Sequence, residues 1–206
     1  MPTKTQQAIE QSLQAKASGI PISLKTFAQF GSKSAIKYAL RRLCVTGRLI
    51  NVCRGFYVKP KRLESVPSVV VSCSLEDVAK LWAKENGYIL TSSGFEELYR
   101  LRFQTQAPIS TLYWSNGPSR RFRIGNATVR IQHVSESKLL WHDRPLGRLY
   151  RALQSIAPEH ATGSQLSKAL SIVSSDHTEQ ECLLKELLSE NALRKWHDLL
   201  RTSIQL

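Results

Sequence analysis

Between Ser32 and Thr46 the chain can form little other than a helix with two opposed faces. Ala35, Ile36, Ala39, Leu40, Leu43 and Cys44 recur at steps of three and four residues, which lays one apolar stripe along a helix. Lys33, Ser34, Lys37, Tyr38, Arg41 and Arg42 fill the opposite side. Lys33, Lys37 and Arg41 stand four apart on one face, where like charges cost about 0.2–0.5 kcal/mol per pair. A helix that keeps this arrangement is better explained by an anionic partner than by its own stability. Ser32 is placed to cap it and Gly47 to stop it.

The flanking segments complete a motif. Ala8, Ile9, Leu13 and Ala17 predict a first helix from about Thr5 to Ala17, ended by Gly19. Ser23 predicts the start of a short second helix through Phe27 and Ala28, and Gly31 a tight turn. After Gly47 the period changes. Leu49–Cys53 and Phe56–Lys59 read as strands flanking Arg54-Gly55, with Pro60 at the end. Three helices and a basic hairpin are the plan of a winged helix-turn-helix over residues 1–62, in which the third helix enters the major groove with its N-terminal part toward the bases. Ser32, Lys33, Ser34, Lys37 and Tyr38 are then the base-facing candidates. Arg41 and Arg42 are candidates for phosphate, and Arg54 for the minor groove or backbone. The alternative is a winged helix used for protein docking.

Charge follows the same division. Residues 1–62 hold twelve Lys or Arg against one acid, Glu10, a net +11 of the chain's +13. Residues 63–99 are at −4, residues 100–151 at +8 and residues 152–206 at −2. Concentrated positive charge favours a polyanion through counterion release, and double-stranded DNA is the expected partner. Cys44, Cys53, Cys73 and Cys182 show no metal-binding spacing and no accompanying His cluster, so a reducing, cytoplasmic setting with no metal and no cofactor is expected. The first twenty residues are polar and helical rather than a signal segment, and no run is long and apolar enough to span a membrane.

Residues 63–206 read as a second, α+β domain: a small antiparallel sheet packed with helices, then a helical tail. Lys59–Ser72 is a linker rich in Pro, Val and Ser. Ser74-Leu75-Glu76-Asp77 resembles a capping box and opens a helix with Val78, Ala79, Leu81 and Trp82 inward, ending at Gly87. A short strand follows at Tyr88–Leu90, then a helix from Ser92 or Ser93. Ile109–Val134 reads as a meander whose last turn is Gly125-Asn126. That turn sets Arg121 opposite Arg130, beside Arg123, and opposed like charges are unfavourable. A second anion site at Arg121, Arg123 and Arg130 would remove the conflict; the alternatives are an acid from elsewhere or side chains splayed into water. Helices are predicted at Pro145–Ala157, Ala161–Ser171 and Glu179–Leu200, the last broken near Ser189–Asn191. Leu183, Leu184, Leu187, Leu188 and Leu193 are available to cover the sheet or a second protomer, so a homodimer is among the expected assemblies.

No catalytic constellation can be assembled, and the expected protein is not an enzyme. Glycine-rich phosphate loops, H-E-x-x-H and G-x-S-x-G are absent from the sequence. His133, His142, His160, His177 and His197 are scattered, and Trp141-His142-Asp143 has no neighbouring nucleophile. Residues 100–134 contain no Asp or Glu, which argues against metal-dependent phosphodiester chemistry there. The remaining alternative in that class is a nucleic-acid-processing enzyme with an atypical site.

Phe30-Gly31-Ser32-Lys33-Ser34-Ala35-Ile36-Lys37-Tyr38-Ala39-Leu40-Arg41-Arg42-Leu43, then Gly47-Arg48-Leu49-Ile50 and Arg54-Gly55-Phe56-Tyr57-Val58-Lys59-Pro60, resembles the N-terminal domain of AbiEi-type antitoxins of type IV toxin–antitoxin systems. Ser115-Asn116-Gly117-Pro118-Ser119-Arg120-Arg121-Phe122-Arg123-Ile124-Gly125 is similar to short relatives of that family. The resemblance covers roughly residues 5–135 and does not extend to the tail. It implies a bacterial or plasmid-borne DNA-binding antitoxin that represses its own operon through the winged helix. It also implies that the protein counters a nucleotidyltransferase-like toxin encoded nearby, with or without direct contact. An antitoxin acting mainly through protein interaction is the alternative reading.

Overall fold

A computed structural model describes residues 3–62, 70–71, 73–173 and 176–204. The expected linker Lys59–Ser72 falls largely outside the described residues. The chain is α+β and divides into two compact units, residues 1–87 with 122–129 and residues 88–121 with 130–206. The first unit therefore runs past position 62 and takes in the following helix and a hairpin tip.

In the first unit, helix α1 (Lys4–Gln14) starts where the Thr3 side chain accepts from the Gln6 amide, and it buries Ile9 and Leu13. Strand β1 (Pro21–Ser23) leads into a 3-10 helix, Leu24–Phe30, capped by Ser23. Helix α2 (Lys33–Val45) starts at Ser32, whose hydroxyl accepts from the Ala35 amide at 3.3 Å. Its apolar stripe is buried at Ile36, Ala39, Leu40 and Leu43, packed with Ile9, Leu13, Ile22, Phe27 and Leu49. Each large side chain so buried contributes about 1.5–3 kcal/mol, well above the repulsion between the lysines on the other face. Gly47, at φ +69°, ends the helix.

Strands β2 (Ile50–Cys53) and β3 (Phe56–Val58) form the expected hairpin. Gly55 has φ +87° at the third position of the turn, the pattern of a type II turn, which a side-chain-bearing residue adopts only with strain. The pairing with Phe56 jumps from Asn51 to Cys53, so Val52 is the extra residue of a bulge. The sheet order is β1-β3-β2, all antiparallel. Strand β1 is the element that sequence reading missed: Ser23 was legible as a cap, but not Pro21–Ser23 as the partner of Val58–Phe56. Two-residue strands β4 (Lys61–Arg62) and β5 (Val70–Val71) pair with each other. Helix α3 (Leu75–Asn86) is capped by Ser74 as expected: its Oγ accepts from the Asp77 amide at 3.0 Å. The same Oγ donates to Asp77 Oδ2 at 2.7 Å, a bond from the hydroxyl rather than from the Ser74 amide of a capping box. Gly87 ends the helix at φ +68°. Trp82 meets Phe122 from the hairpin tip edge-on at 6.1 Å, and Phe122 meets Phe56 at 5.7 Å.

The second unit opens with β6 (Leu90–Ser92) and α4 (Gly94–Arg100), the latter capped by Ser93. Strands β7 (Thr111–Ser115), β8 (Arg120–Ile124) and β9 (Ala127–His133) follow. The expected meander is not what forms. The order is β6-β7-β9-β8, so β7 neighbours β9 and the sheet is mixed rather than antiparallel. The Val134 amide donates to the Ser115 carbonyl and Arg130 Nη2 donates to Ser110 Oγ, which aligns β7 and β9 in one direction. The four residues 116–119 cross β9 to reach β8, about 10 Å at ordinary strand spacing and within their reach.

Helices α5 (Pro145–Leu153), α6 (Gly163–Val173), α7 (His177–Ser189) and α8 (Arg194–Ile204) complete the chain, with the predicted break between the last two. Leu183, Leu187 and Leu193 are buried with Leu146, Leu149, Leu166 and Trp196 in a helical core. Leu183, Leu187 and Leu193 are thus spent on neighbouring helices rather than on the sheet, Leu184 is partly buried against the same core, and Leu188 is exposed. Helices α4 and α5 approach so closely that a Cβ on Gly94 would stand 2.3 Å from the Arg151 carbonyl oxygen.

Candidate nucleic-acid interface

The packing of α2 fixes which of its residues face water. With Ile36, Ala39, Leu40 and Leu43 inward, Lys33, Ser34, Lys37, Tyr38 and Arg41 are exposed, Tyr38 at 59%. Among the described residues no acid pairs with Lys33, Lys37 or Arg41. Arg42 departs from the expectation: it is half-buried, because at the last turn its position rotates toward the core stripe. Ser32 is exposed, but its hydroxyl caps the helix and lies 3.1 Å from Ser34 Oγ, so it is already engaged in helix structure.

Three other basic residues of the first unit have partners. Arg48 pairs with Glu10 at 2.8 Å, so the one acid of residues 1–62 neutralises a base on α1's side. Lys59 Nζ donates to the Leu13 and Lys16 carbonyls at 3.4 and 3.3 Å, satisfying the C-terminal end of α1. Lys25 Nζ donates to Asn86 Oδ1 at 2.8 Å. Like the row on α2, Arg54, exposed at the β2–β3 turn, has no acidic partner among the described residues. Behind this face, burial raises the Cys44 thiol and the Tyr57 hydroxyl above their ordinary values, so both are neutral at physiological pH and subtract nothing from the positive charge. Cys44 and Cys53 are half-buried, short of full burial, Cys73 is buried and Cys182 exposed.

Arg121, Arg123 and Arg130 of the hairpin are exposed, while Phe122, Val129 and Ile131 beside them in sequence are buried. Arg123 Nε donates to the Gly125 carbonyl at 2.8 Å, and Arg130 reaches Ser110 Oγ at 3.1 Å. Both acceptors are neutral, so the guanidinium charge persists. Arg121 and Arg130 lie in the second unit and Arg123 on the tip belonging to the first.

Sequence reading missed a buried polar cluster on α4 and α5. Glu97, 1% exposed, accepts from Arg148 Nε at 2.9 Å and from Ser92 Oγ, and stands 3.8 Å from Arg151 Nη2. Burial lowers Arg151 to about 10, an effect opposed by Glu97. The only signal in the sequence was an acid on one predicted helix and two bases spaced three apart on another, which many surface helices share. Among the described residues, no group of three or more His, Cys, Asp or Glu is arranged to hold a metal ion, and no helix is long and apolar enough to cross a membrane.

No curated protein matches the chain. A solved structure with a partly similar arrangement is the RV2827C protein from Mycobacterium tuberculosis, 12% identical, with 98% of this chain and 82% of that chain covered at a TM-score of 0.43. That likeness is too loose to carry an inference. Residues 8–181 match a family of unknown function, and on that span the chain belongs to the DUF6088 family.

Proposed function

We propose that the first unit is a winged helix-turn-helix and that the protein is a sequence-specific, double-stranded DNA-binding regulator acting in the cytoplasm. The observation that carries this is the α2 face: Lys33, Lys37 and Arg41 at four-residue spacing, exposed, with no acid partner among the described residues. The antiparallel order β1-β3-β2, with α1, the 3-10 helix and α2 packed on one core, supports the winged-helix reading. Lys37 and Tyr38 are assigned to base edges, with Lys33 and Ser34 at the N-terminal end of the same face. Arg41 is assigned to phosphate, and Arg54 at the wing tip to the backbone beside the groove. Arg42, half-buried, is assigned to phosphate beside Arg41, and Ser32, which also caps the helix, stands at the base-facing end.

The resemblance to AbiEi-type antitoxins extends this to an autoregulating antitoxin of a type IV system, opposing a nucleotidyltransferase-like toxin. Footprinting on DNA upstream of the protein's own gene tests the first step. Protection should be lost in the Lys37→Ala, Arg41→Ala double variant, and its length should distinguish one half-site from the paired half-sites of a homodimer. An unchanged footprint in that variant refutes the placement of α2. Co-expression with the adjacent gene product tests the second step, since rescue of growth is required of an antitoxin.

A further inference from the structure

We propose that the second unit carries a separate site for single-stranded nucleic acid, formed by Arg121, Arg130 and the groove that Arg130 lines. The argument begins at the β8–β9 turn. Gly125 has φ +55°, and the strands end at Ile124 and resume at Ala127. Counting outward, Phe122 falls opposite Val129, both buried, and Arg121 falls opposite Arg130, both exposed. Opposed arginines repel, and residues 98–135 contain no acid to relieve them. No described carboxylate reaches either one. Arg130 is instead braced by the neutral Ser110 hydroxyl at 3.1 Å, which fixes its guanidinium while leaving its charge intact. A braced Arg130 with Arg121 across the hairpin offers two guanidinium forks at full charge, the chemistry that takes a phosphodiester.

The groove says which kind of phosphodiester. It has a volume of about 370 Å³, and its lining includes Phe95, Gln104, Gln106, Ile109, Ser110 and Arg130. Phe95 is 54% exposed and Ile109 fully exposed, an apolar lip that a duplex backbone, all sugar and phosphate, cannot use. An unstacked base can: every base offers a π-face to an aromatic side chain and polar edges to glutamines. Gln104 is held by its own amide, which donates to the Phe95 carbonyl at 3.2 Å and leaves its side-chain carbonyl available to a base edge. A phosphate on the arginine pair beside a base on the apolar lip is the repeating unit of a single strand. This site stands independently of the duplex reading of α2.

The test is anisotropy of a short labelled single-stranded oligonucleotide of mixed sequence, and of a duplex containing the footprinted sequence, with the full chain. Phe95→Ala and Arg130→Glu should each weaken single-strand binding about tenfold, the scale of one lost base stack or charged contact, and leave duplex binding unchanged. The Lys37→Ala, Arg41→Ala variant should do the reverse. Arg121→Glu guards against misfolding as an explanation: by facing Arg130 with an opposite charge it should raise the melting temperature while weakening the single strand. Absence of single-strand binding by the unaltered chain overturns the proposal, as do Phe95→Ala and Arg130→Glu variants that bind it normally. Equal losses on strand and duplex would reduce the arginines to a plain phosphate contact and overturn it too. Full competition by an equal concentration of nucleoside monophosphate would assign the groove to a free nucleotide, which also refutes the strand.

Discussion

The exposed face of α2 and the buried cluster on α4 and α5 handle charge in opposite ways. On α2, Lys33, Lys37 and Arg41 face water at a spacing where they repel, without an acid among the described residues to answer them. On α5, Arg151 is 2% exposed and Arg148 half-buried, and Glu97, itself buried, is shared between them. Desolvating a charge costs several kcal/mol, so the fold tolerates Arg151 only with a carboxylate beside it. The surface lysines cost little, so nothing in folding demands a partner for them. Charge inside this protein is part of its architecture, and charge on α2 is not required by the fold.

The sharpest way to break the comparison is to remove the buried partner. Glu97→Ala should destabilise the protein by about 3–5 kcal/mol in denaturant titration, because Arg151 is left buried and unanswered. A loss below about 1 kcal/mol would mean that water reaches the cluster and that the two regions do not differ. Next in size, Lys37→Ala or Tyr38→Ala should reduce discrimination between operator and unrelated duplex by about 1–3 kcal/mol, with no change in melting temperature. Arg41→Ala should weaken binding to every duplex and flatten the dependence of log K on log salt by about 0.9. Arg54→Ala should lower duplex affinity while leaving the melting temperature nearly unchanged, since Arg54 is exposed at a turn; a large stability loss would show a structural role. The smallest effect has the most telling sign. Lys37→Glu should stabilise the fold by a few tenths of a kcal/mol, by placing an acid between Lys33 and Arg41, while abolishing duplex binding.

Local signals were the legible ones. Ser32, Ser74 and Ser93 cap the helices they were expected to open, Gly47 and Gly87 end theirs, and Gly125 turns the hairpin. These depend on chemistry within a few residues. Pairings set by distant partners were not legible. Nothing near Pro21–Ser23 announces that Val58–Phe56 will pair with it. Nor does anything near Glu97 indicate Arg148, fifty-one residues on. The candidate interface was readable because the face of a helix follows from its period. The exception is the exposure of Arg42, which is half-buried beside the core stripe.

The order β7-β9-β8 has a consequence in time. The β8–β9 hairpin closes over two residues and needs no other part of the chain, so it can form within about 1–10 μs. Strand β7 must then dock against the far strand of that hairpin, past the nearer one in sequence. Its own β6 partner, Leu90–Ser92, lies still further upstream. A chain emerging from synthesis can pair β6 with β7 once residue 115 has been made, but β7 has no neighbour on its other side until residue 133, so the β7–β9 pairing that joins the two halves is the last that the sheet can make.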